Sequence, residues 1–483
     1  MNKTYQKPPR VAEWLLTRIV DNRIRYSAMG DFEEQFNDIR KFEGVAKARL
    51  WYWVQVFSFL PLFIYDSLFW SLVMVKNYLV IALRNLRKHK GYSFINITGL
   101  AIGMACCMMI ALYVIDEFSY DRYHKNAGRI YRLVPDLHTP SGPRKLAQSS
   151  PPMAPALIAE FPEIAQHVRF MRTSSLYQVG ENHFQEDRGF YTDPDVFDVF
   201  SYPFISGDPK TALANPNSVV LTQKIARKLF GKADPLNRII TTENGDAFTV
   251  TGVMEDIPLN SHFTFNMLFS LKKIEQTNPG LLEEWGALFF PTYLLLSPEA
   301  SASALAAKFP DFLNAQLGEG SGFALSLQPL SDIYLHSHRR GEHGARGNAT
   351  ALYIFIGIAG MILLLAVVNF MNLTTARSAS RAKEVGVRKV IGAHRRQLAR
   401  QFLGESVLVS LLALFAAILF CQLLLPLFNN LAGKSLSLQF SDFGFYLLLL
   451  PLFAILVGIA AGSYPAFNLA KFLPVSVLKG AFK

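Results

Sequence analysis

The sequence predicts an α-helical membrane protein with four transmembrane helices, a large α+β extracytoplasmic domain inserted between helices 1 and 2, and a small helical cytoplasmic prefix. Three observations predict it. Residues 94–115, 352–373, 403–428 and 445–467 each reach the roughly 20 apolar residues that a helix needs to cross a bilayer. Residues 116–350, between the first and second of these stretches, are mostly polar and long enough to build a core of their own. Lys and Arg crowd the short segments on one side of the four stretches and are sparse on the other.

Composition supports the class. The chain has 483 residues, is 51% hydrophobic and carries 48 Lys and Arg against 37 Asp and Glu, a formal charge of +11. Such a balance suits nucleic acid, an anionic membrane surface or the positive-inside bias of a multi-pass protein. The position of the charge decides among them. Lys76, Arg84, Arg87, Lys88 and Lys90 precede the first stretch, and Asp116 and Glu117 follow it. The first helix therefore runs outward and the second returns, delivering Arg377, Arg381, Lys383, Arg388, Lys389, Arg395, Arg396 and Arg400 to the cytoplasm against one acid, Glu384. The third goes out, a short loop around Lys434 and Asp442 turns, and the fourth comes back to Lys471, Lys479 and Lys483. Both termini are expected in the cytoplasm, and no nucleic-acid partner is needed to account for the charge.

The remaining segments follow in order. Residues 1–72 read as a cytoplasmic helical prefix: Val11, Leu15, Leu16 and Ile19 recur at helical spacing, and "SAMGDFEEQFNDI" has the acids of a capped helix start. Val54–Val75, broken by Pro61 and Asp66, reads as interfacial, so that residues 73–115 comprise the end of an interfacial helix and transmembrane helix 1. In the inserted domain, 116–350, β-type runs such as "SVVLT", "AFTVTGVM" and "PTYLLLS" mix with helical ones such as "TQKIARKLF", as expected of an α+β domain of two lobes. Residues 351–483 hold helices 2–4 and a basic loop, 376–402.

Few motifs point to chemistry. Cys106, Cys107 and Cys421 lie in apolar runs and have neither disulfide nor metal spacing. "HSHRRGEHGARG" groups His336, His338, Glu342 and His343, but Arg339 and Arg340 repel a cation, so no metal site is expected. No GxxxxGK[ST], GxSxG or HExxH occurs. The expectation is a chain without catalytic residues. Gly99 and Gly103 in helix 1, and Gly458 and Gly462 in helix 4, have the GxxxG spacing that lets helices approach, within one chain or between two copies. Asn96, Asn369 and Asn372 are expected to hydrogen-bond between helices.

The loop "RAKEVGVRKVIGAHRRQLARQF", Arg381–Phe402, is the most particular segment. Lys383, Val385, Val387, Arg388 and Val390 alternate as in a short helix lying in the interface, valines dipped and cations toward phosphate. Gly386 and Gly392, each costing a helix about 1 kcal/mol against alanine, suggest a turn or a close approach instead.

"NFMNLTTARSASRAKEVGVRKVIGAHRRQLARQFLGES", together with "FINITGLAIGMA", "SVVLTQKIARKLFGKADPLNRII", "FTVTGVMEDIPLNSHF" and "AGSYPAFNLAKFLPVSVLKG", resembles the permease subunits of ABC transporters of the MacB/FtsX type. "PPRVAEWLL" and "YSAMGDFEEQF" resemble the prefix found ahead of some of them. The resemblance covers nearly the whole chain. It implies a MacB-like core domain at 116–350, and a coupling helix in which Lys383, Glu384, Gly386, Arg388, Lys389, Gly392 and Ala393 dock on a cytoplasmic ABC ATPase. ATP and Mg would be bound by that partner, and this chain would carry no cofactor. It also implies an inner-membrane location, a second copy or second permease half, and for some members a periplasmic adaptor. Many relatives with this prefix carry two four-helix units where this sequence has one, which leaves a dimerising half-permease and one unit of a longer chain both open. Transport by mechanotransmission is the function implied; an FtsX-like regulator of an extracytoplasmic cell-wall hydrolase is the alternative.

Overall fold

The computed structural model describes residues 8–20, 25–140, 142–376, 385–392, 394–438 and 443–471. They fall into two compact units, one drawn from the described residues within 1–105, 363–420 and 439–483, the other from those within 106–362 and 421–438.

In the first unit, helices Arg10–Ile19, Arg25–Glu43 and Val45–Lys88 pack together. Gly44, at φ 96°, supplies the left-handed turn that ends the second helix, and its N–H bonds to the Arg40 carbonyl. Their shared core is Ala12, Leu16, Val20, Phe36, Ala48, Tyr52 and Val56. The buried face of the first helix thus follows Ala12, Leu16 and Val20, with Leu15 and Ile19 at its edges, and Val11 points to solvent, 62% exposed, against the expectation. The "SAMGDFEEQF" stretch lies inside a helix that already begins at Arg25, so Ser27 is not its cap. Residues 54–75, read as interfacial, belong to one continuous 44-residue helix with Pro61 inside it.

Four helices among the described residues are long and apolar enough to cross a membrane: Lys90–Phe118, Ala349–Ala376, Arg395–Ala432 and, within Phe443–Lys471, Leu448–Asn468. They are called here the first to fourth spanning helices. Each contains one of the four apolar stretches or most of it.

The second unit carries the inserted domain, whose β-runs pair into one eleven-stranded sheet among the described residues. The strands are β1 (Ile130–Thr139), β2 (Gly142–Lys145), β3 (Ile164–Val179), β4 (Asn182–Thr192), β5 (Phe204–Ser206), β6 (Ser218–Thr222), β7 (Ile239–Thr242), β8 (Ala247–Met254), β9 (Met267–Ser270), β10 (Thr292–Leu296) and β11 (Phe323–Pro329). Their order is β11-β1-β10-β3-β4-β9-β6-β8-β5, with β2 on β1 and β7 bridging β3 and β8. The long strand β3 makes two lobes of one sheet: Ile164–Arg169 pairs with β10, while Phe170–Val179 pairs with β4. On one side of that division Leu133, Leu157, Phe161, Leu294, Phe309 and Phe312 form a core. On the other, Val219, Leu221, Ile225, Phe248, Val250 and Phe269 form a second. A third, aromatic core of Phe170, Phe190, Phe200, Phe263 and Tyr293 joins them. "SVVLT" is buried at every residue because β6 lies in the sheet interior, between β9 and β8.

Candidate functional site

The basic loop begins where the second spanning helix ends at Ala376. Lys383, Glu384 and Ala393 lie outside the described residues. Residues 385–390 are helical, and a turn follows at 391–392. Val385 is buried against Leu398 and Phe402 of the third spanning helix and Ala466 of the fourth. Arg388 donates through Nη1 to the Gln401 Oε1 at 2.6 Å, and the Gln401 Nε2 donates in turn to Glu405 at 3.4 Å. Those two attachments orient the short helix on the inner end of the third. They leave Val387, Val390 and Ile391 pointing away, 51, 65 and 80% exposed. The valines therefore divide, one gripping the protein and two projecting, where the interfacial reading has them dip together. Desolvation, then the nearby Arg395 guanidinium, holds the Lys389 ammonium below its ordinary pKa.

The two glycines differ in kind. Gly386 is buried within the short helix 385–390. Gly392 stands at φ 101° with nothing within 4 Å of a Cβ built on it. Its role is the left-handed turn that closes the segment, which exposes the tip without crowding it.

The third and fourth spanning helices approach closely in the same unit. A Cβ on Gly458 would lie 2.7 Å from the Val407 Cα, and one on Gly462 would lie 2.5 Å from the Ser406 Oγ. Between them the Ser410 hydroxyl donates to the Ala454 carbonyl at 2.7 Å. The Gly458–Gly462 face is thus occupied by the chain's own third helix. Gly103 is buried, and a Cβ on Gly99 would lie 3.4 Å from the Asn369 Nδ2.

The asparagines do not join the helices as expected. The Asn96 amide is buried with neither atom hydrogen-bonded, and Asn369 and Asn372 are exposed. The bond between the first and second spanning helices comes instead from Tyr92, whose hydroxyl donates to the Thr374 Oγ1 at 2.9 Å. In the second unit the Cys107 thiol donates to the Ala359 carbonyl at 3.1 Å. Hydroxyls and a thiol suit this role because each satisfies itself with one partner, where a carboxamide needs several.

In the inserted domain the histidine-rich segment contributes a buried tie through Ser337 and Glu342, while His336, His338 and His343 are exposed. The Glu342 carboxylate receives the Arg132 guanidinium at 2.5 and 2.7 Å and also the Ser337 hydroxyl. Glu342 is buried, which by itself opposes its ionisation, yet the hydrogen bonds from Arg132 keep its pKa below the usual carboxylate value. Beside it Asp121, His262 and Tyr293 form a chain of 2.8 Å contacts. Gly344 runs against the His262 carbonyl with no room for a Cβ. Sequence spacing could not reveal this, because Arg132 and Glu342 are 210 residues apart.

The comparisons with known proteins match two parts of the chain. A family model described as "MacB-like periplasmic core domain" matches residues 93–311, and one described as "FtsX-like permease C-terminal" matches residues 356–474. The chain is similar to the macrolide export ATP-binding/permease protein MacB of Haemophilus ducreyi, 27% identical over 292 residues, which are 59% of this chain and 39% of that protein. It is also similar to two ABC transporter permeases of Bacillus subtilis. YknZ is 26% identical over 55% of this chain and 62% of its own length. YvrN is 23% identical over 83% of this chain and 98% of its own length. The chain therefore spans 39% and 62% of the lengths of MacB and YknZ. Among solved structures, a permease-protein domain from Porphyromonas gingivalis aligns with a TM-score of 0.39 at 23% identity, over 43% of this chain and 92% of that one. The periplasmic region of MacB from Actinobacillus actinomycetemcomitans aligns with a TM-score of 0.33 at 14% identity, over the same shares.

Proposed function

The chain belongs to the MacB/FtsX family of ABC transporter permeases, and from that premise we propose that it is the membrane subunit through which a separate cytoplasmic ATPase drives movement of the extracytoplasmic domain. It is a membrane protein with a large extracytoplasmic domain. In this reading ATP and Mg are held by the ATPase, and this chain performs no catalysis. Both termini face the cytoplasm of an inner membrane, and a second copy or a second permease half completes the transporter. Substrate is exported or extracted by the moving domain.

The observation that carries the reading is the form of residues 385–392. A helix that merely rests on lipid needs no rigid attachment. This one is attached twice, through Val385 to the third and fourth spanning helices and through Arg388 to Gln401. It presents an apolar tip of Val387, Val390 and Ile391 that can fill a cleft in a partner. A push on that tip would be carried into the helices because the joint is packed. Lys383 and Glu384, which precede Val385 in the sequence, would set the charge complementarity. The test is co-isolation of the ATPase subunit with the permease. Val390→Asp with Ile391→Asp should abolish it while leaving membrane insertion unchanged. Full retention of the ATPase would return the segment to a membrane-surface helix.

A further inference from the structure

At the outer end of the third spanning helix a single lysine is enclosed by groups from three separate parts of the chain. Asn429 closes the helix: its Oδ1 accepts from the Leu436 N–H at 3.0 Å and its Nδ2 donates to the Leu436 carbonyl at 2.8 Å. Gly433, at φ 63°, makes the turn, and Lys434 is turned back against the protein with only 13% of its side chain exposed. Its Nζ lies 2.8 Å from the Asp116 Oδ2, 2.6 Å from the Glu117 Oε1 and 3.0 Å from the Tyr120 hydroxyl. Asp116 and Glu117 end the first spanning helix.

The third part comes from the inserted domain. Tyr334, in the helix Leu330–His336 that follows β11 directly, donates its hydroxyl to the same Glu117 Oε1 at 2.9 Å. Its ring stacks on Tyr120 with centroids 3.4 Å apart and planes 9° from parallel. Tyr120, Tyr334, Leu335 and Leu352 close an apolar cluster around the pair. Gly347, just before the second spanning helix, passes so near that a Cβ there would lie 2.6 Å from the Tyr334 ring. Burial by itself would lower the lysine's pKa, but the hydrogen bonds to Asp116, Glu117 and Tyr120 raise it above the ordinary value, so the ammonium is held charged.

We propose that Lys434 is a positioning residue. It fastens the first spanning helix and the turn between the third and fourth to the helix Leu330–His336, so that these elements move together and displacement of the spanning helices reaches β11 and β1 of the domain. A fold could hold its domain to the first and second spanning helices by chain connectivity alone. What connectivity cannot supply is a link from the third-to-fourth turn, and Lys434 supplies it. Glu117 is the shared acceptor, bonded at once to Lys434 and to Tyr334, and its side chain is 3% exposed, so neither bond can be exchanged for water without opening the cluster.

The inference rests on the proposed ATP-driven movement, and the experiment separates the two. Amide hydrogen exchange is measured on the complex of permease and ATPase, free and trapped with ATP and vanadate. In the wild type, trapping should change exchange by about tenfold, within the usual range of coupling between sites, both at residues 385–402 and in β1 and β11. Lys434→Met with Glu117→Gln removes one positive and one negative charge, so that of the two carboxylates only Asp116 keeps its charge, and its side chain is 27% exposed. It should keep the response at 385–402 and lose that in β1 and β11, while Lys434→Arg keeps both. Tyr334→Phe, which deletes the bond to Glu117 and keeps the ring against Tyr120, should give an intermediate response in the domain. A merely structural tie predicts that the double variant lowers protection in free and trapped states alike and leaves the ATP response of β1 and β11 in place; that outcome overturns the proposal. Absence of any response in the wild type would overturn the ATP-driven reading itself.

Discussion

The two ends of the third spanning helix carry cations in opposite ways. At the inner end Arg388 leans on a neutral carboxamide, Gln401, within a stretch dense in Lys and Arg. At the outer end Lys434 stands enclosed between two carboxylates and a stacked tyrosine pair. The inner arrangement orients the segment and leaves its apolar tip of Val387, Val390 and Ile391 exposed. The outer one concentrates its interaction in a single ammonium. The number of charges in a segment is thus a poor guide to how deeply each one is enclosed: Lys434, the single cation of its loop, has 13% of its side chain exposed.

The largest effect should come from breaking the outer arrangement on one side only. Lys434→Ala leaves Asp116 and Glu117 facing each other without a cation, and losing one partner of a buried pair costs about 3–5 kcal/mol. Thermal unfolding of the detergent-solubilised protein should show it, and an unchanged melting temperature would erase the contrast between the two ends. Acidification should act next. The ring of His124 is buried and accepts the Ser201 N–H through Nδ1 at 3.1 Å, and desolvation pulls its pKa down to about 4. A base whose folded pKa is depressed binds its proton more readily when unfolded. The stability that the neutral ring contributes is therefore complete above its unfolded value and is lost as pH falls from about 6.5 to about 4, amounting to about 3 kcal/mol at the lower limit. His167, also lowered by burial, acts in the same direction. Melting followed from pH 7 to 4.5 should fall in the wild type and fall less in His124→Gln.

Where the fourth spanning helix packs on the third and no charge is involved, Gly458→Ala should cost about 1–3 kcal/mol because its Cβ would meet the Val407 backbone. A neutral outcome would mean that the two helices separate freely. The smallest effect belongs to the inner end. Arg388→Ala should change melting by about 1.5 kcal/mol, the low end for a hydrogen bond from a charged donor, because the bond to Gln401 is only partly buried. A larger loss there would make the two ends alike.

Much of this was legible in the sequence. The four spanning helices could be read because apolar length alone decides them, and the inserted α+β domain because its β-runs and turns are local signals. The basic loop stood out through Gly386, Arg388 and Gly392. The division of its valines did not, because Val385 is buried by Leu398, Phe402 and Ala466, none of them near it in the periodicity of the segment. The partners of Gly458 and Gly462 were undetermined for the same reason: GxxxG states that something comes close, and only the fold says that Val407 and Ser406 do. The Lys434 cluster was hidden most completely. Its members are separated by 314 residues in one contact and 217 in another, and a lone lysine in a short outer loop looks like a solvated turn.

The central claim is that residues 385–392 transmit work between this permease and an ATPase, and ATP hydrolysis in proteoliposomes holding both subunits tests it most directly. Val390→Asp with Ile391→Asp should reduce permease-stimulated hydrolysis at least tenfold, about 1.4 kcal/mol or more of lost coupling, with insertion and melting temperature unchanged. Hydrolysis equal to that of the wild type in this variant would contradict the claim.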